Sequence, residues 1–185
     1  ILTACREQPD LDVGVHLTLN SEWSTYRWGP VGSRDQATGL VDPLGHFWHR
    51  PPQTQANLKP AAAVAEFRAQ IEMVRAAGVD FTHIDTHMGA ALLPELFPAY
   101  VELGLEYGVP VLVLRSLDDY VRSLDIGSVG AAEWADFVAG LEARGMALVD
   151  HFRITPGYGP QDQEGGRAVL YETILHELPP GVTYF

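Results

Sequence analysis

Cysteine is almost absent from this chain: Cys5 is the single one among 185 residues. No internal disulfide framework can form, and cysteine usage leaves the redox compartment open. Positive charge is also scarce. Twelve Lys and Arg stand against 24 Asp and Glu, a formal net charge of -12, so a nucleic-acid backbone or an anionic membrane surface would repel the chain. A neutral or cationic ligand suits it better. No apolar run approaches the roughly 20 residues of a membrane span, and residues 1–10 carry no signal-peptide pattern. A cytoplasmic location is the expectation. No Gly-rich phosphate loop follows any strand pattern and no Gly-x-Ser-x-Gly elbow is present. A nucleotide-binding Rossmann reading is therefore weak, and nucleophilic serine or cysteine catalysis has little support. There is no internal repeat and no low-complexity tract. What remains is an acidic chain of one-domain length, residues 1–185, with 46% hydrophobic residues to build a core.

The richest stretch chemically is Phe81-Thr-His-Ile-Asp-Thr-His-Met-Gly89, which sets His83, Asp85 and His87 at every second position. As a strand it would send those three side chains to one face and Ile84 and Thr86 to the other. Two imidazoles and a carboxylate on one face form a candidate metal or proton-transfer site, although the motif alone names no reaction. A second polar position occurs in Asp12-Val-Gly-Val-His-Leu-Thr-Leu19. There Val13, Val15, Leu17 and Leu19 alternate with Gly14, His16 and Thr18, so His16 points away from the aliphatic side chains.

Between these two segments, residues 20–59 are rich in Gly, Pro, Ser and aromatics and show no sustained period. A connection of roughly forty residues is far longer than usual, which favours a functional role. Trp23, Tyr26, Trp28, Phe47 and Trp48 either offer their faces to sugar rings or anchor the loop to the body, and both readings stand. His46 and His49 are read as structural or solvated. A helical stripe of Val64, Phe67, Ile71 and Val74 ends at Gly78, and another begins near Pro94 with Phe97, Val101 and Leu105 and closes at Gly108. Val111-Leu-Val-Leu114 has the continuous apolar character of a strand buried on both faces and delivers Arg115. Trp134, Phe137, Val138 and Leu141 mark a helix. Ala147–Ile154 reads as a strand bearing Asp150 and His151, followed by a helix through Leu170, Ile174, Leu175 and Leu178 and a last strand at Val182–Phe185.

Alternating strands and helices imply parallel strands joined by crossover helices, in an open sheet or a barrel. His16, His87, Arg115 and His151 fall toward the C-terminal ends of different strands. That placement favours an α/β fold of barrel type with its site at the C-terminal rim.

Asp12-Val-Gly-Val-His-Leu-Thr-Leu-Asn-Ser-Glu-Trp23, Tyr26-Arg-Trp-Gly-Pro30 and Thr82-His-Ile-Asp-Thr-His-Met-Gly89 together resemble the YdjC/ChbG family of carbohydrate deacetylases. The resemblance extends over Val113-Leu-Arg115, Asp150-His-Phe152 and Leu178-Pro-Pro-Gly-Val-Thr183. It implies a distorted β/α barrel that binds a divalent metal ion, zinc or magnesium, through one aspartate and two histidines. By that likeness His16 is one ligand and His87 the other, with His83 the alternative for the second. It also implies a hydrolase that removes N-acetyl groups from amino-sugar oligosaccharides. The family's opening strand ends in an Asp-Asp pair that supplies a ligand and the general base, and no such segment stands before Ile1. Asp118-Asp119 follows the Arg115 strand instead and does not inherit the role. A later His-Pro segment is expected beyond Phe185. Both ends of the chain are therefore expected to continue, and the piece alone is expected to be an incomplete barrel without activity.

Hydrolysing an acetamide requires an activated water and an electrophile for the amide oxygen, and a divalent ion with an open position supplies both. Asp85 is the candidate to orient a ligand imidazole. Arg115 either positions a substrate hydroxyl or the oxyanion or forms a structural ion pair, and Asp150 or His151 is the candidate acid. Trp23 and Trp28 are the candidate substrate wall. The expected partner is a small carbohydrate, with no nucleic acid and no membrane, and exposed sheet edges are compatible with a homodimer. A metal-dependent sugar isomerase and a non-catalytic sugar-binding domain are the rival functions.

Overall fold

The structure, a computed structural model, describes residues 2–8, 10–117, 130–153, 155 and 166–185. Asp118-Asp119 and Ile154 lie outside the described residues. Helix α1 (Leu2–Arg6) precedes strand β1 (Gly14–Leu17), which runs parallel to β2 (His83–Thr86) in the register Gly14↔His83, Val15↔Ile84, His16↔Asp85 and Leu17↔Thr86. Alternation works as expected: Val15, Leu17, Ile84 and Thr86 are buried, and His16 sits beside Asp85 on the opposite face. The His83 ring lies over Gly14, where an added Cβ would stand 2.1 Å from its Nε2 and displace it.

Helix α3 (Pro60–Ala76) crosses between them. Pro60 fits its first turn, where the missing N–H would be unpaired anyway. Ala63, Phe67 and Ile71 enter the core on one stripe. Two polar side chains on the same helix are buried with them and fully used. Gln70 receives the N–H of Thr18 at 2.9 Å and donates to its carbonyl at 2.8 Å. Glu66 accepts the N–H groups of Val31 and Gly32, each at 2.8 Å. The helix thus fixes the exit of β1 and the start of the long connection at once.

The expected strand Val111–Leu114 is reduced to single bridges, Ile84↔Val111 on one side and Leu114↔Val149 on the other, both parallel. On the β2 side the cause is Tyr100, fully buried on α4 (Phe97–Tyr107). Its hydroxyl donates to the carbonyl of Ile84 at 2.9 Å and accepts the N–H of Leu112 at 2.8 Å, standing between two groups that would otherwise pair directly. Helix α5 (Ala131–Ala143) packs Trp134 and Phe137 against Phe97. Strand β3 (His151–Phe152) pairs in parallel with β4 (Thr183–Tyr184) across α6 (Gly166–His176). The expected strand Ala147–Ile154 narrows to the Val149 bridge and β3. Short parallel pairings thus follow one another in chain order, with helices between them.

Residues 20–59 are more structured than their composition suggests. They hold a short 3-10 turn (Gln36–Thr38), helix α2 (Pro51–Asn57) and the bridges Asn20↔Trp48 and Val41↔Phe47. Leu40, Val41 and Phe47 belong to the core. Arg27 binds the segment internally, donating to Ser21 Oγ, His49 Nε2 and Asp42. His49 is thereby a structural acceptor, in line with its sequence reading.

Candidate functional site: an imidazole pair between two carboxylates

Four residues from three segments meet at one edge of the β1–β2 pair. His16 Nδ1 lies 2.7 Å from Asp85 Oδ1, and His16 Nε2 lies 3.3 Å from Nδ1 of His87. His87 Nε2 in turn lies 2.9 Å from Oε2 of Glu22. The second oxygen of Asp85 accepts the hydroxyl of Tyr184 at 3.1 Å. Local backbone explains how His87 reaches the pair. It ends the β2 run and opens a 3-10 turn (His87–Leu92), in which Met88 and Gly89 take φ of 51° and 70°.

The tautomers follow from the carboxylates. Burial pushes the Asp85 carboxyl up, but hydrogen bonds and charge from His16, Tyr184 and His83 outweigh it and hold the group below the usual range. Glu22 is likewise pulled down on balance, burial being outweighed by its own backbone N–H and by His87. Both are ionised near neutral pH and can only accept. His16 therefore donates from Nδ1 and His87 from Nε2. In the neutral rings His16 Nε2 and His87 Nδ1 then carry lone pairs, and these face each other across 3.3 Å. Two facing lone pairs offer a binding gap for a cation.

Two nitrogens ~2.1 Å from one tetrahedral ion would be separated by about 3.4 Å, close to the spacing observed. Each far nitrogen is already held by a carboxylate, the support that metal-bound imidazoles usually have. The residues present therefore fit a divalent ion as two of its ligands. Among the described residues no group of three or more His, Cys, Asp or Glu side chains could hold a metal ion, so this pair is less than the three protein ligands a catalytic zinc takes.

The other expected residues have other partners. His83 shares the face of Asp85, but its Nδ1 lies 3.0 Å from Thr82 Oγ1, which donates to Asp12, and its ring lies over Gly14. Arg115 pairs with Asp150 at 2.7 Å and with Glu142, the structural alternative raised above. Asp150 also accepts the N–H of Val182, and His151 donates from Nε2 to the carbonyl of Pro180 at 3.2 Å. Trp28 packs against His87 with ring centroids 6.2 Å apart, and Tyr26 packs on Trp28 at 6.1 Å. Trp23, beside Glu22, is 61% exposed.

Glu22 and Tyr184 were not among the expected site residues. Glu22 lay inside a long connection whose path the sequence does not give. Tyr184, on β4, lies 99 positions beyond Asp85, and nothing in its own surroundings signals the contact.

Residues 2–185 match the family model described as YdjC-like protein, and the chain belongs to that family. A carbohydrate deacetylase of Thermus thermophilus is 36% identical over 176 residues, 94% of this chain and 59% of that protein. A carbohydrate deacetylase of Vibrio vulnificus is 32% identical over 103 residues, 56% of this chain and 38% of its own length. The chain thus spans less than two thirds of these relatives. A solved structure from Enterococcus faecalis, described as a cellobiose-phosphate cleavage protein, superposes with a TM-score of 0.65 at 19% identity, covering 98% of this chain and 61% of its own. At that identity the likeness speaks for the fold alone.

Proposed function

We propose that this member of the YdjC-like family acts in a metal-dependent hydrolase that removes N-acetyl groups from amino-sugar oligosaccharides. The observation that carries the reading is the pair of imidazole nitrogens facing each other at 3.3 Å, each ring held from behind by a carboxylate. His16 and His87 would hold the ion. Nitrogen ligands favour zinc over magnesium, which prefers carboxylate and water oxygens. A bound divalent ion supplies a water of lowered pKa and an electrophile for the amide oxygen. Asp85 and Glu22 keep the two rings in the tautomers that leave the inner nitrogens bare. Tyr184 keeps Asp85 turned toward His16. Trp28 and Tyr26 form a wall beside His87 against which a sugar face can lie.

A β/α barrel is the architecture we infer for the whole protein. Parallel neighbours in chain order and the reach of Tyr184 back to Asp85 both support a strongly curved sheet. Acetate release from an N-acetylated amino-sugar oligosaccharide, measured on the complete protein with and without added zinc, tests the function. Zinc-dependent release supports it. Interconversion of an aldose and a ketose without acetate would point to an isomerase, and sugar binding without turnover to a binding domain.

A further inference from the structure

The geometry points to Glu22 as a positioning residue that sets the tautomer of His87 and so keeps the gap between the two imidazoles open to a cation; this rests on the ion-binding reading above. A histidine ring has two neutral tautomers of similar stability, and its hydrogen bonds decide between them. His87 has one neighbour at each nitrogen: Glu22 at Nε2 and His16 at Nδ1. If the proton sat on Nδ1, His87 would donate to His16, and the two rings would close the site with a hydrogen bond between themselves. The Glu22 carboxylate, 2.9 Å from Nε2, draws the proton to the far side. His16 needs the same service and receives it from Asp85.

Glu22 is fit for this role because its backbone is fixed. The two residues before it, Asn20 and Ser21, are fully buried. Asn20 donates to Thr54 Oγ1 at 2.6 Å, and the N–H of Ser21 donates to the carbonyl of Trp48 at 2.9 Å. Ser21 Oγ accepts the N–H of Trp28 at 3.0 Å. The anchor that places Glu22 on one edge of His87 therefore also places Trp28 against the same ring. Carboxylate and aromatic wall arrive as one unit, so a change that frees Ser21 should disturb both.

The experiment is nitrogen-15 NMR of the histidine rings in the complete protein without metal, followed by zinc titration, for wild type, Glu22→Gln and Glu22→Ala. The amide oxygen of glutamine can still accept from Nε2, so Glu22→Gln should keep the wild-type tautomer of His87. Glu22→Ala should move the proton to Nδ1 and weaken zinc binding by roughly 10–100-fold, the usual effect of losing such a support. Circular dichroism equal to wild type ensures that a folded protein is compared. An Nδ1–H tautomer in wild type, or an unchanged tautomer in a folded Glu22→Ala, overturns the assignment. Wild-type protein with the expected tautomer that takes up no zinc overturns the ion-binding reading instead, so the two failures are distinguishable.

Discussion

Tyr184 Oη donates to one oxygen of Asp85 at 3.1 Å while the other oxygen holds His16 at 2.7 Å, so the carboxylate links β4 to the imidazole pair. Burial and the Asp85 charge push the Tyr184 hydroxyl up to about 12, so it remains a donor throughout the physiological range. Asp85→Ala removes the acceptor that fixes the Nδ1–H tautomer of His16, and zinc affinity should fall by roughly 10–100-fold. Tyr184→Phe, which leaves the carboxylate in place, should cost less. Calorimetric zinc titration of the complete protein checks the order, and a larger loss in Tyr184→Phe would contradict it.

The aromatic residues of the long connection divide into two groups. Phe47 is 1% exposed and packed in the core, so Phe47→Ala should destabilise by about 3–5 kcal/mol. Trp23 is largely exposed, and Trp23→Ala should shift stability by no more than about 0.5 kcal/mol. Trp28→Ala should cost more binding free energy for an N-acetylated oligosaccharide than folding free energy. Sugar titration beside urea unfolding tells them apart, and equal losses of binding and stability in the Trp28 variant would make it an anchor.

Tyr100→Phe deletes a hydroxyl that satisfies the Ile84 carbonyl and the Leu112 N–H, both buried. An unsatisfied buried group costs about 1–3 kcal/mol, so a loss of that size or somewhat more is expected by urea unfolding. A neutral variant would mean that Ile84 and Leu112 close into a direct ladder bond.

Asp42 gives the stability a defined acid limb. Burial raises its carboxyl, but the N–H groups of His46 and Leu44 and the Arg27 guanidinium outweigh this and hold it below the usual range. The unfolded chain, with an aspartate near ~3.9, then binds more protons than the folded one between the two values. The stabilisation is complete above the unfolded value and is lost as pH falls through the folded one. Asp42→Asn should flatten the dependence of the melting temperature on pH below about 5. An unaltered slope would contradict the pairing.

Period and motif made β1, β2 and the helices legible, because burial of Val15, Leu17, Ile84, Phe67 and Ile71 follows directly from spacing. His83 and Asp85 could be placed on one face for the same reason, and His16 opposite the aliphatic side chains of β1. The Val111–Leu114 strand was overstated because nothing in its apolar run announces a tyrosine hydroxyl inserted beside it. Helix α2 lay hidden in the long connection, where Pro51 and Pro52 read as loop residues although proline suits a first helical turn. Glu22 and Tyr184 escaped for a different reason. Their roles depend on contacts across 65 and 99 positions, and no local pattern encodes such a distance.

On the function proposed, His16 Nε2 and His87 Nδ1 share one divalent ion. X-ray absorption at the zinc edge, on the zinc-loaded complete protein and its His16→Ala and His87→Ala variants, tests it most directly. Wild type should show two imidazole nitrogens at about 2.0–2.1 Å, and each variant should lose one. Zinc whose imidazole scattering is the same in His16→Ala as in wild type would contradict the claim.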